Sequence, residues 1–355
     1  NPELEDRTII RQSIEPGNTI TIDDKITLIV NDQNEKPVIF MDPSLDQMIR
    51  TEINKPTGTL TYSDVKGIVN LANYDVVHDK IRSLEGIENL TSLQSLTLIG
   101  EGISDVTPLA NLTDLRFLNL SRNNIQDISS LSGLVNLEMF SLSNNQISDI
   151  SIMSNMTRLK RVSLGYCPIN SINVLREYKG IESLDIGYTN VPAEEVREVL
   201  TDFTRLNYLY ISGIEVESLD FLKCQTTLKH LTADSCGLGD IEHLSDFENL
   251  QGLKIINNTI EDITPLSNLT LLETLSIGFN DIKDLSPLEN LIHINHLSAI
   301  DIPTTDFSAL TPLTKLRVLY ISDNIIDNIE FLRPLINLEK LEIYSDVLDL
   351  TNYYE

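Results

Sequence analysis

The residues that could carry chemistry are few. Five histidines (His78, His230, His243, His293, His296) and three cysteines (Cys167, Cys224, Cys236) stand in a chain with 53 Asp and Glu. His293-Ile-Asn-His296 is the tightest pair of candidate metal ligands. On an extended segment, residues three apart face opposite sides, so these two rings cannot share a metal. The acidic residues never take the spacing of a calcium loop. No Gly-rich phosphate loop and no nucleophile elbow occurs. Three cysteines cannot all pair internally and are too few to staple a scaffold. We expect no enzyme, no metal and no cofactor.

The elements that would position any site come from a repeat. The chain has 355 residues, of which 41% are hydrophobic and 22% charged, which excludes a disordered chain. No apolar run reaches the ~20 residues of a membrane helix. Unit starts fall at Ile68, Leu90, Leu112, Leu134, Met156, Tyr178, Phe203, Gln225, Phe247, Leu269, Leu291, Leu313 and Leu335. These are thirteen units; eleven intervals are 22 residues and one is 25. The unit from Leu112 carries Leu115, Leu118, Leu120, Asn123, Ile125, Ile128 and Leu131 in its apolar and turn slots. Leu118 and Leu120 alternate with period 2, so they mark a short strand with both side chains inward. The Asn that follows can bond backbone groups left unpaired by the turn. One unit cannot bury its apolar face alone, so the units must stack.

The 22-residue length and runs such as Ile103-Ser-Asp-Val-Thr-Pro-Leu109 and Ile260-Glu-Asp-Ile-Thr-Pro-Leu266 resemble the internalin type of leucine-rich repeat from Gram-positive bacterial surfaces. The resemblance implies a leucine-rich-repeat solenoid with a curved parallel β-sheet on the concave face and 3₁₀ turns on the convex face. Thirteen strands at ~4.8 Å would stack over ~60 Å. The Asn slot holds Asn123, Asn145, Asn258, Asn280 and Asn324, but elsewhere Asp79, Glu101, Cys167, Thr189, Ile214, Cys236, Ile302 and Asp346. We expect local irregularity near Ile214 and Ile302. Cys167 and Cys236 share this slot three units apart, ~14 Å at strand spacing and beyond disulfide reach; both should be buried ladder residues. Asp105, Asp127, Asp149, Asp240, Asp262, Asp284 and Asp306 recur just before the convex turn, where a carboxylate can accept free N–H groups. The 25-residue unit contains Val196, Val199, Leu200 and Phe203 at helical spacing, with Pro192, Glu194 and Glu195 at its start. We expect one α-helix on the convex face there.

Ahead of the repeats, Leu45, Met48, Ile49 and Ile53 form an apolar stripe over 42–53, and Thr61 with Asp64 marks a further helix start. These read as a helical N-terminal cap over 38–67, with the repeats over 68–355 and the last unit incompletely capped. Residues 1–37 are a β fragment: Gln12-Ser-Ile-Glu-Pro-Gly17 and an alternating run to Val30 resemble the C-terminal half of a PASTA domain. The start at Asn1 and the end at Glu355 lead us to expect a piece of a longer protein.

The formal net charge of −27 excludes nucleic acid and anionic headgroups as partners. The sixth, eighth, tenth and eleventh residues of each unit should face solvent on the concave side. Thirteen units give 52 such positions, and eight are aromatic: Phe117, Tyr166, Tyr188, Tyr208, Tyr210, Phe279, Tyr320 and Tyr344. That is about 15%, against 6% of the chain, and exposed aromatics are favoured at binding hot spots. The densest group lies beside Arg161 and Asp185. With the resemblance, this predicts a non-catalytic, monomeric binding module at the bacterial cell surface or secreted. It would recognise a protein, from host or bacterial surface, through these ten residues. The alternative is the ectodomain sensor of a PASTA-containing receptor Ser/Thr kinase or cell-wall protein, with a cell-wall glycopeptide, a peptidoglycan fragment, as ligand of the N-terminal fragment.

Overall fold

The computed structural model describes residues 9–12, 28–30, 35–73, 80–326 and 328–344. Strands β1 (Ile9–Gln12) and β2 (Leu28–Val30) pair antiparallel. Most of the PASTA-like run, including the Pro-Gly turn, lies outside the described residues. β3 (Pro37–Val38) leads into helix α1 (Pro43–Glu52), and β4 (Leu60–Thr61) leads into α2 (Tyr62–Val65). Thirteen parallel strands follow in sequence order, from β5 (Asn70–Ala72) to β17 (Lys340–Glu342), as a single sheet. Short 3₁₀ turns such as Thr107–Leu109 and Thr264–Leu266 run along the other side. Leu118, Leu120 and their equivalents are buried through the unit that starts at Leu313, and one apolar core runs through the stack; in the last unit Leu341 is exposed and Ile343 is half-buried. The solenoid expected from the repeat is the observed fold.

One alignment needs correction. Leu71 pairs with Leu96, so the first strand lies three residues ahead of the position that a unit starting at Ile68 gives. The unit starts at Val65, the buried last residue of α2, and spans 25 residues to Leu90. Val65, Ile68 and Leu71 are apolar at steps of three, so the slots slide by one step without losing a match. The extra three residues fall between Asn73 and Ile81. The other long interval holds α3 (Ala193–Thr201), with Val196, Val199 and Leu200 buried, as the helical spacing predicts.

One carboxylate bonds both the cap and the first repeat unit. Asp42 Oδ1 accepts the N–H groups of Ser44 (2.9 Å) and Leu45 (3.3 Å) at the start of α1. Its Oδ2 accepts those of Arg82 (2.7 Å) and Ser83 (3.3 Å) in the first unit. Burial alone would raise its pKa, but these four donors outweigh it and hold the carboxyl below its ordinary value. Asp64, bonded by Lys55 and by the Thr61 N–H of its capping box, is drawn down to about 2 from 3.8. Both shifts favour the charged form in the folded state. Each therefore stabilises the fold above the ordinary carboxylate value of 3.8 and loses that contribution in acid, Asp64 as pH falls through about 2. Thermal melts from pH 5 to pH 2 should show this loss, and Asp64→Asn should flatten it; an unchanged slope would contradict the assignment.

All seven recurring aspartates cap convex turns. Each Oδ1 accepts the N–H two residues on, for example Asp105 from Thr107 (2.8 Å), Asp149 from Ser151 (2.8 Å) and Asp262 from Thr264 (2.7 Å). Inside the stack the Asn slots form a ladder. Asn123 Oδ1 accepts Ile103 N–H (3.0 Å), and its Nδ2 donates to Leu98 O (2.8 Å) and Leu120 O (2.9 Å). Cys167 and Cys236 are buried in the same slot, where their thiols donate to Leu142 O (3.2 Å) and Ile211 O (3.4 Å). Burial raises both thiol pKa values, that of Cys236 to about 11. Cys224 is exposed. A thiol reagent at pH 8 should label one cysteine in the native protein and three after unfolding; three equally fast thiols would refute the buried placement. Asp79 and Asp346 lie outside the described residues. The irregularity expected near Ile214 and Ile302 does not reach the sheet, since register is continuous across both units. At Ile214 it is confined to the turn, where Glu217 takes φ 61°.

Candidate concave binding face

The ladder continues past each strand. The N–H of the eleventh residue of a unit bonds the carbonyl of the tenth residue of the next, as in Arg122 to Ser143 (2.8 Å) and Tyr166 to Gly187 (2.8 Å). That eleventh residue is left-handed in every unit from Leu90 to Leu313. Gly100, Asn144, Gly213, Ser235, Asn257, Asp301 and Asp323 take this conformation, and most of them are types that adopt it readily. Tyr166 (φ 59°), Tyr188 (φ 54°), Phe279 (φ 56°) and Arg122 (φ 60°) also take it, and a bulky side chain there is an outlier.

Two of these outliers form one stack. The Tyr166 and Tyr188 rings lie 4.6 Å apart, 21° from parallel. Tyr188 rests in turn on Gly213, where an added Cβ would sit 2.5 Å from its Cδ1. Gly213, at φ 76°, is thus fixed by both conformation and room. On the strand Tyr208–Tyr210, the Tyr208 ring stacks on His230 at 4.7 Å and 5°. An added Cβ at Gly252 would sit 2.5 Å from His230 Nδ1, so that glycine leaves the imidazole its place. Between the stacks, Asp185 Oδ2 accepts Ser163 Oγ (2.8 Å) and Ser143 Oγ (3.2 Å), while Oδ1 accepts Gly187 N–H (3.2 Å). Asp185 is in register with Tyr210. Burial first, and then the Asp185 charge, raise the Tyr210 pKa. Burial and the Tyr188 and Asp185 charges do the same to Tyr166. Both phenols are therefore donors at neutral pH. Burial lowers the His230 pKa, which keeps its imidazole neutral.

The ten expected residues thus divide. Tyr166, Asp185, Tyr188, Tyr208 and Tyr210 form one cluster, with Arg161 exposed on a strand of the same group. Phe117 stands two strands away, with the Arg116 guanidinium 5.6 Å from its ring. Tyr320 is half-buried between His296 (5.4 Å, edge-on) and Lys340 Nζ (4.9 Å). Phe279 and the exposed Tyr344 lie apart from these. His230 and His296 belong to the aromatic surface, although the sequence alone marks neither as a binding residue. Their sixth-slot positions were the available signal.

The family model for leucine-rich repeats (two copies) matches residues 113–155 and 135–177. No curated protein sequence matches the chain. Among solved structures, the Arabidopsis receptor kinase HAESA, in complex with the peptide hormone IDA and the co-receptor SERK1, is 19% identical over 72% of this chain and 46% of that one (TM-score 0.59). The functional domain of InlJ from Listeria monocytogenes is 17% identical over 86% of this chain and 75% of that one (TM-score 0.60). These two share the fold. The internalin InlF from Listeria monocytogenes is 30% identical over 90% of this chain and 95% of that one (TM-score 0.69). With that identity over nearly the full length of both, and thirteen parallel strands built from repeats of mostly 22 residues, the chain belongs to the internalin-like leucine-rich-repeat family.

Proposed function

We propose that this chain is a non-catalytic binding module, acting outside a Gram-positive cell as a monomer, whose concave face recognises a protein. The observation that carries this reading is the exposure of Tyr166 (57%) and Tyr188 (43%) in a backbone slot where neighbouring units place mostly Gly, Asn or Asp. A left-handed bulky residue costs roughly 1–2 kcal/mol, and such outliers gather at ligand clamps. The fold adds support, since a solenoid of this kind in HAESA is seen with a peptide hormone and a co-receptor. The family resemblance supports surface display or secretion.

The test is capture from host-surface and cell-wall preparations, followed by affinity measurement with the purified captured protein. Tyr188→Ser with Tyr208→Ser should abolish capture and leave the melting temperature in place. Equal capture by this variant would overturn the reading. A wall-sensing role through a PASTA-like module is the second reading, favoured by the antiparallel pairing of β1 with β2. It requires muropeptide binding by the full chain that is lost when residues 1–37 are removed.

A further inference from the structure

A recess opens along the left-handed row in the units that start at Phe247, Leu269, Leu291 and Leu313. It is a cavity of about 530 Å³ whose lining includes Phe279, Pro303 and Ile325 and three carboxylates, Asp281, Asp301 and Asp323. Phe279 is 47% exposed, and its ring meets no other ring and no cation among the described residues. Ile325 is exposed beside it. Asp301 and Asp323 occupy the same slot in successive units, and Asp301 N–H bonds Ser322 O at the edge of the next unit. Neither carboxylate forms an ion pair among the described residues. Carboxylates on adjacent rungs make the recess attractive to a cation. The apolar wall and the charge together define what it would accept: a cation with a flat face and an aliphatic stem.

We propose that this recess receives an arginine side chain of the protein partner, an inference that rests on the concave-face reading above. The guanidinium stacks on Phe279 and forks onto Asp301 and Asp323, and its stem lies along Pro303 and Ile325. A lysine has the charge without the planar face. A metal ion is disfavoured because no group of three His, Cys, Asp or Glu among the described residues converges on one point.

The probe is hexa-arginine, titrated calorimetrically into the full chain, with hexa-citrulline as its neutral counterpart. Hexa-arginine should bind and hexa-citrulline should not. Asp301→Asn with Asp323→Asn should weaken binding at least tenfold, and Phe279→Asn several-fold. Asn already occupies the Phe279 slot at Asn144 and Asn257, so the second variant should keep the fold. Glu248→Gln with Glu289→Gln removes the same charge from exposed sites and should change affinity less than twofold. Equal weakening by this control would assign the binding to overall acidity and overturn the proposal. Unchanged affinity in the recess variants, equal binding of hexa-citrulline, or calcium displacing hexa-arginine would also overturn it. Tyr188→Ser with Tyr208→Ser should leave hexa-arginine binding intact, so failure of the recess and failure of the concave-face reading are separately visible.

Discussion

Asn145→Ala should lower the stability of the solenoid by about 3 kcal/mol, as read from urea unfolding. Asn145 is fully buried. Its Nδ2 donates to Leu120 O (2.9 Å) and Leu142 O (2.7 Å), and its Oδ1 accepts Ile125 N–H (3.0 Å). The three losses are not equal. Leu120 O keeps the amide of Asn123 (2.9 Å), and Leu142 O keeps the Cys167 thiol (3.2 Å). Ile125 N–H has no other partner among the described residues, so its orphaning carries the largest share. A small void adds to it. Asn145→Cys should lose about half as much. The chain itself uses Cys at 167, where the thiol donates to the Leu142 carbonyl. Equal losses for Ala and Cys would show that volume, and not hydrogen bonding, sets the slot.

The same ladder shows what the amino-acid order reveals and where it stops. Leu118, Leu120 and Asn123 declare strand, inward face and turn because each role needs one residue type at one spacing. The aspartate two residues ahead of each capped N–H was legible for that reason, and all seven cap as expected. The first strand was misplaced because Val65, Ile68 and Leu71 satisfy two alignments equally, and only the pairing of Leu71 with Leu96 chooses between them. The ring stacks were not legible. Whether Tyr188 lies on Tyr166 depends on Gly213 leaving room one unit further on, 25 residues away in sequence. The left-handed slot did leave a signal in Gly100, Asn144, Gly213, Asn257, Asp301 and Asp323. Reading that column by conformational preference, instead of by exposure alone, would have marked Tyr166, Tyr188 and Phe279 as the unusual occupants.

Tyr188→Ser with Tyr208→Ser should weaken partner binding by about 4 kcal/mol, near 1000-fold, when each ring is a hot spot of about 2 kcal/mol. The two rings belong to separate stacks, Tyr166–Tyr188 and Tyr208–His230, so their losses should add to a first approximation. Stability should not fall with affinity. Ser235 already occupies the Tyr188 slot in left-handed conformation, so serine is compatible with that backbone. Gly213→Ala approaches the same surface without replacing an aromatic residue. Its methyl would sit 2.5 Å from Tyr188 Cδ1 and 2.9 Å from Cε1, so the ring must swing away. Binding should then drop toward the Tyr188→Ser value, while left-handed alanine costs about 1 kcal/mol of stability. These variants separate two explanations of the aromatics. If tyrosine is present only because it suits an exposed strand, then Tyr208→Ser lowers stability and leaves affinity unchanged. If the rings are held for a partner, affinity falls and stability holds. Gly213→Ala sharpens the comparison, because it keeps every tyrosine and changes only where one of them points.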